Sequence, residues 1–391
     1  AHGLGFISMP AGARLLGAWV GEPPDGKGAE EFLSSQLKRN DPFFNRLPAL
    51  QPSVAFPILA KCGVPRWNFI TRTHAPAKQL EATKLFDDKI TETFKKIAGI
   101  KGALAETQTS ILHLPIRDGG LGLTRFQEIA AQNYEASRKA SDPAAEDQRT
   151  RTAVRNKEIL DKLPEDAKAA MKSFSKTHAS DWLMSCSKSK NYQLALQTRI
   201  RWQENPTLRR TRDCGAILES AKADEHAIGC TRLHGANASS RHAAVRDTIN
   251  KFCRVHGFPS QIEPAISGGL RADLLLCFGP SAPLYVDIVL PNPLCASHRG
   301  KSSAELEKEK DKLKQGKYSE AVRAIGGELC TFVVETTGGF SMKAAAIVRE
   351  LERDCGAEGE LFKQIAETIM HWNGAIVSNA RRPKQGMFWK G

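Results

Sequence analysis

Asp273 and Asp287 lie in the stretch LRADLLLCFGPSAPLYVDIVL, with 13 residues between them. Asp273 precedes one apolar run, LLLCF, and Asp287 interrupts a second, LYVDIVL. Such runs predict strands covered on both faces, where an acid is costly unless a cation or a donor compensates it. If GPSAP forms the turn, Phe278 pairs with Leu284 and Leu275 with Asp287. The acids then become diagonal neighbours on one face, with backbones about 7–8 Å apart. A slip of one residue would send Asp287 to the opposite face. Two convergent carboxylates are hard oxygen ligands suited to Mg2+, which could activate a water and offset charge on a scissile phosphate. The alternative is structural: each acid marks a strand end or pairs with a neighbour such as Arg271.

Phosphate chemistry also wants a fixed cation beside the reacting groups. The segment after the strands can supply one. Ser302 and Glu305 predict a capping box, and Gly326-Gly327 a stop, so a long charged helix is expected between them. At helical spacing Leu306, Lys310, Leu313, Lys317 and Ala324 share a stripe. Lys317 is therefore expected to point inward, with Lys314 flanking it. The competing reading is that the lysine snorkels to the surface.

Two further groups carry possible chemistry. Cys214, His226, Cys230 and His234 fall within 21 residues, a set that could hold zinc through thiolate and imidazole, or be ordinary polar residues on a loop and helix. From Arg151 to Arg212 there are 14 Lys and Arg against 6 Asp and Glu. At the end of that stretch Tyr192 and Trp202 are interleaved with Arg199, Arg201, Arg209, Arg210 and Arg212. Such a segment suits phosphate contacts and stacking on bases, the alternative being a solvated helix face.

Together these residues resemble the restriction-like endonuclease of site-specific non-LTR retrotransposons, a branch of the PD-(D/E)XK nuclease fold. The matching positions are Ala272-Asp273, then Asp287, then Lys314-Gln-Gly-Lys317-Tyr318. Ala272 stands where the family usually has proline, and Val289 where other restriction enzymes keep a lysine that this branch moves to the helix. Glu263-Pro264 is similar to a recurring element of the family and implies a supporting acid at Glu263. The Cys/His set resembles the zinc knuckle upstream of that endonuclease, although Thr211 replaces its earlier cysteine. ARLLGAWVG, FPILAKCGVPRWNFITRTHAP and LPIRDGGLGL resemble the region after a reverse transcriptase palm, including its thumb. The resemblance implies a Mg2+-dependent endonuclease that nicks target DNA to prime reverse transcription, with catalytic Asp273, Asp287, Lys317, Lys314 and Glu263. It further implies zinc in the knuckle, element RNA as a partner, and a nuclear location. No palm acids for polymerisation are found here; Phe86-Asp87-Asp88 lacks the intervening residue of the polymerase turn and sits on an amphipathic helix.

The elements that must position these residues set the expected fold class: α+β and multidomain. A helical N-terminal half comprises a thumb-like region (1–124) and a basic helical linker (125–205). A small zinc-knuckle-like segment (206–240) leads into an α/β nuclease-like domain (241–391). The length of 391 residues suits several folded units, and 41% hydrophobic with 25% charged residues is a globular balance. A net charge of +13 favours polyanionic partners, and no apolar run has the length of a membrane span. Nine cysteines without secretory features favour reduced thiols. Opening on Ala1, the chain is expected to be a fragment or a processed piece. A non-catalytic nucleic-acid-binding remnant is the alternative to a nuclease.

Overall fold

The computed structural model describes residues 12–21, 28–139, 148–176, 178–184, 191–202, 209–210, 217–218, 220–230, 232–233, 237–278 and 282–381. In chain order the elements are β1 (Ala13–Leu15), β2 (Ala18–Val20), α1 (Gly28–Arg46), α2 (Pro52–Ile58), α3 (Asn68–Thr73), α4 (Pro76–Ala98), α5 (Glu106–His113), α6 (Phe126–Arg138) and α7 (Gln148–Lys162). They continue with α8 (Glu165–Phe174), α9 (Tyr192–Arg199), β3 (Arg209–Arg210), β4 (Ile217–Leu218), α10 (Ser220–Gly229), α11 (Ala238–Val255), β5 (Ser260–Ile262) and β6 (Leu274–Leu276). The last are β7 (Leu284–Val289), α12 (Ser303–Ala324), β8 (Glu328–Val333), α13 (Met342–Cys355) and α14 (Glu360–Arg381). The described chain is mostly helical with a small mixed sheet. None of its described helices is long and apolar enough to cross a membrane.

Packing divides the chain into two compact units, residues 1–101 with 122–162 and residues 102–121 with 163–391. These edges cut across the expected boundaries at 124, 205 and 240. The polar stretch 125–205 is shared between the two units, because composition does not reveal which neighbour a helix packs on.

In the first unit β1 and β2 form a hairpin across the stretch ARLLGAWV. Leu16 and Gly17 both have positive φ, +49° and +88°, the backbone of a turn that matches strand twist. In α4, Pro76 sits at the first turn and Gly99 ends the helix with φ +65°. At helical spacing Phe86, Ile90, Phe94 and Ile97 share one stripe, and all four are buried. Trp67 stacks on Phe86 at 4.7 Å between ring centroids. Asp87, beside that stripe, serves the architecture. Its carboxylate accepts the Phe126 and Gln127 N–H groups, each at 2.9 Å, and so caps α6 from a neighbouring helix.

The second unit is built around a four-stranded sheet in the order β5-β6-β7-β8. β5, β6 and β7 are antiparallel, and β8 lies parallel to β7 after the α12 crossover. One face carries Leu274, Leu276, Val286, Ile288 and Phe332 into a core shared with Val245 and Ile249 of α11, Val348 of α13 and Ile365 of α14. The opposite face packs Tyr285 against Tyr318 and Val322 of α12. The short edge strand β5 falls in a stretch that reads as a Pro/Gly-rich loop. The observed register pairs Leu274 with Val286 and Leu276 with Leu284, two residues away from the one expected from a GPSAP turn. An even shift preserves the face.

Candidate active site

One step beyond the Ile262–Leu274–Val286 row, the same register brings Glu263, Asp273 and Asp287 side by side on three strands, with Thr331 of β8 next to Asp287. The Asp273 N–H donates to Val286 O at 3.0 Å, and the Glu263 N–H to Asp273 O at 3.0 Å. The acids are thus direct cross-strand neighbours instead of the diagonal ones expected. Arg271 is not the partner of either.

Each acid has its own environment. Asp273 Oδ2 accepts the Ile288 N–H at 2.6 Å and lies 3.2 Å from His242 Nε2. Burial opposes ionisation of Asp273, but the His242 contact and the Ile288 amide outweigh it and hold the carboxyl below its ordinary range. Asp287 is 4% exposed. Burial raises its carboxyl above the ordinary range, and neighbouring Asp273 adds to the rise while Lys314 opposes it. Lys314 Nζ is 2.7 Å from Asp287 Oδ2. That oxygen nevertheless has no aligned hydrogen-bond donor, so the pair is an ion contact that leaves hydrogen-bonding capacity unused. Lys314 lowers the Asp287 pKa through both this close contact and its charge.

Helix α12 begins as expected. Ser302 N donates to Glu305 Oε2 at 2.6 Å, and Glu305 N to Ser302 Oγ at 3.2 Å. Its buried face corrects the expected stripe. Leu306, Glu307, Tyr318 and Val322 are buried, whereas Leu313 is 64% exposed and Lys317 is exposed. Leu313 is not a core residue; the aromatic at Tyr318 fixes the helix about one position round. Lys314 consequently reaches the acids. Lys317 Nζ donates to Tyr318 Oη at 2.7 Å and lies 4.5 Å over that ring. The Tyr318 contact raises the Lys317 ammonium's pKa, with smaller attractions from Asp287 and Asp273.

Glu263 has φ +50°, and its exposed carboxylate binds Arg246 at 2.5 Å. Its backbone is in the acid row while its side chain turns to α11. His242 belongs to the site and was missed from sequence. It sits four residues before Arg246, on a helix stripe with Val245 and Ile249, and an imidazole on an apolar stripe was the available signal.

The basic segment is corrected. Arg199 is fully buried: Nε donates to Gly120 O at 3.1 Å, Nη2 to Ser180 Oγ at 2.6 Å, and burial lowers its pKa to about 9. Arg201 pairs with Asp166 at 2.8 Å and Glu225 at 3.1 Å. Trp202 is 4% exposed, and Tyr192 is buried with its hydroxyl on Leu183 O at 2.5 Å. Arg199, Trp202 and Tyr192 are core residues and Arg201 is half-buried and held by two acids, because burial and stacking call for the same side chains. Arg209 and Arg210 form β3. Arg212, Cys214 and His234 lie outside the described residues. His226 stands in the last turn of α10, and Cys230 follows that helix and is buried against Ala227, Leu233 and Ile376. Among the described residues no three His, Cys, Asp or Glu side chains form a ready metal-ligand group.

No protein-family model matches the chain, and no curated protein matches it.

Proposed function

We propose that the chain is a Mg2+-dependent DNA endonuclease of the restriction-like type found in non-LTR retrotransposons. It would nick target DNA so that the free end primes reverse transcription. The observation that carries this reading is the cross-strand pair Asp273 and Asp287, joined by a lysine from the crossover helix. The two carboxyls have opposite protonation tendencies, a division common where acids share catalytic work. A divalent cation fits the donors: hard carboxylate oxygens, one of them buried without an aligned donor. Asp273 and Asp287 would hold it, leaving other positions to water and phosphate. When bound, such an ion supplies a more acidic water and charge neutralisation at the phosphate.

The chain's own groups do the positioning. Lys314 screens the repulsion between the acids and keeps Asp287 oriented. His242 and the Ile288 amide fix Asp273 Oδ2. Lys317, exposed beside them, offers an ammonium to an approaching phosphate oxygen. Zinc at Cys214, His226, Cys230 and His234 remains part of the proposal, with target DNA and element RNA as partners and the nucleus as location. The spacing of four residues from His226 to Cys230 suits two neighbouring ligands.

One feature favours a second reading. The His242 and Lys314 contacts already compensate both acids, as they would in a non-catalytic nucleic-acid-binding remnant. Plasmid nicking by the purified chain with Mg2+ and with EDTA separates the two; closed circles surviving intact in Mg2+ at saturating protein favour the remnant.

A further inference from the structure

The outer face of α12 carries residues that the helix itself does not need. Gly316 lies in mid-helix, yet a Cβ there would meet nothing within 4 Å. Its φ is not positive, so neither crowding nor backbone conformation calls for glycine, the poorest helix former after proline. Leu313, one turn earlier, is 64% exposed on an otherwise polar face. Lys308, Lys312 and Lys317 are exposed around them. Lys308 and Lys312 make no ion pair among the described residues. At helical spacing Lys308, Lys312 and Gly316 form one ridge, and Glu309, Leu313 and Lys317 the adjacent one, with Glu309 already neutralised by Lys301 and Lys310. Glu320 closes the patch at its C-terminal end.

A single exposed leucine would need no explanation. A leucine, an unforced glycine and three cations on one small face together describe a surface shaped for close approach by something negatively charged. The patch reaches towards the acids only at its Lys317 edge, one turn on from the Lys314 that contacts Asp287.

We propose that this face of α12 seats the sugar–phosphate backbone of duplex DNA. Gly316 is the notch where that backbone comes nearest to the helix. Lys308, Lys312 and Lys317 contact phosphates, and Leu313 packs against the sugars. The reading rests on the nuclease proposal for the choice of DNA, but it concerns binding and is tested without cleavage.

The test is anisotropy titration of a labelled duplex with the full chain in EDTA, over a series of salt concentrations. Gly316→Gln replaces the notch with an uncharged good helix former. It should raise Tm by about 2–4 °C yet weaken DNA binding by roughly tenfold, about 1.4 kcal/mol. Lys312→Ala should flatten the salt dependence by about 0.9 in slope, whereas Leu313→Ala should weaken binding with the slope unchanged. Wild-type affinity in Gly316→Gln, with the higher Tm, would overturn the proposal. So would self-association of the wild type that Leu313→Glu abolishes, since a second copy would then occupy the face. Selective loss of single-stranded RNA binding, with duplex affinity intact, would overturn it as well. If Gly316→Gln loses duplex binding but the wild type never nicks, the docking surface stands and the catalytic reading falls.

Discussion

Lys314 and Asp287 are joined from helix to strand, 2.7 Å between Nζ and Oδ2, while Lys317, less than one turn further on, rests on the Tyr318 hydroxyl. The two lysines therefore have separable roles. Lys314 acts on the carboxylate, and Lys317 faces whatever approaches from solvent.

Lys314→Met should slow single-turnover nicking by about 10²–10³, the usual cost of losing one preorganised charge. It should also raise the Asp287 pKa further, shifting the rate profile to higher pH. Lys317→Ala should weaken binding more than it slows chemistry. Measuring rates at saturating protein distinguishes the two, and indistinguishable small effects would remove both lysines from the mechanism.

Asp273→Asn and Asp287→Asn should each abolish Mg2+-dependent nicking with duplex affinity nearly unchanged, since phosphate contacts come mainly from basic groups. Full cleavage by either variant would dismantle the proposed cation site.

Asp87 gives a pH signature in the first unit. Burial raises its carboxyl from an ordinary 3.8 to about 6, against the two amides that favour its charge. The folded state thus binds the proton more tightly than the unfolded one. Its contribution is greatest below the unfolded value and is lost as pH rises through about 6. The stability difference between wild type and Asp87→Asn should shift against the wild type by about 2 kcal/mol from pH 4 to pH 7. Denaturant melts at several pH values would show this; a constant difference would mean that the cap amides dominate.

Arg199→Ala should lower stability by about 3 kcal/mol, because it opens a cavity and strands the Gly120 and Ser180 acceptors. The salt slope of DNA binding should not change. A drop of about 0.9 would return Arg199 to the phosphate-contacting surface.

Metal analysis of freshly purified protein should find about one zinc per chain, and Cys230→Ser should lose it. Protein prepared without chelators and still free of zinc would leave Cys230 as a packing residue only.

What sequence could reveal here depended on whether a wrong detail changed the answer. The acid pair was legible on one face because the register error was two residues, and period-two strands forgive an even slip. Helices do not forgive in that way. Counting Leu313 as core turned α12 far enough to exchange Lys314 for Lys317, since nothing local shows that Tyr318 anchors the helix. β5 is three residues at a sheet edge, too short for alternation to register. Arg199 and Trp202 look the same in composition whether they serve a core or a nucleic acid. Only their surroundings, Gly120 and Phe174 for the arginine, decide it.

The second unit recruits residues 102–121 from well upstream of its main body, including the buried Ile111, Leu112, Leu114 and Leu121. The route of the chain therefore sets a rule for dissecting it. A fragment begun at residue 163 or 241, the natural choice for isolating a nuclease, omits that segment. The fragment from 163 keeps the Arg199 guanidinium but loses the Gly120 carbonyl that its Nε donates to, and the segment's apolar side chains go as well. Such a piece should fold poorly however intact its sheet looks, and supplying residues 102–121 as a separate peptide should restore it.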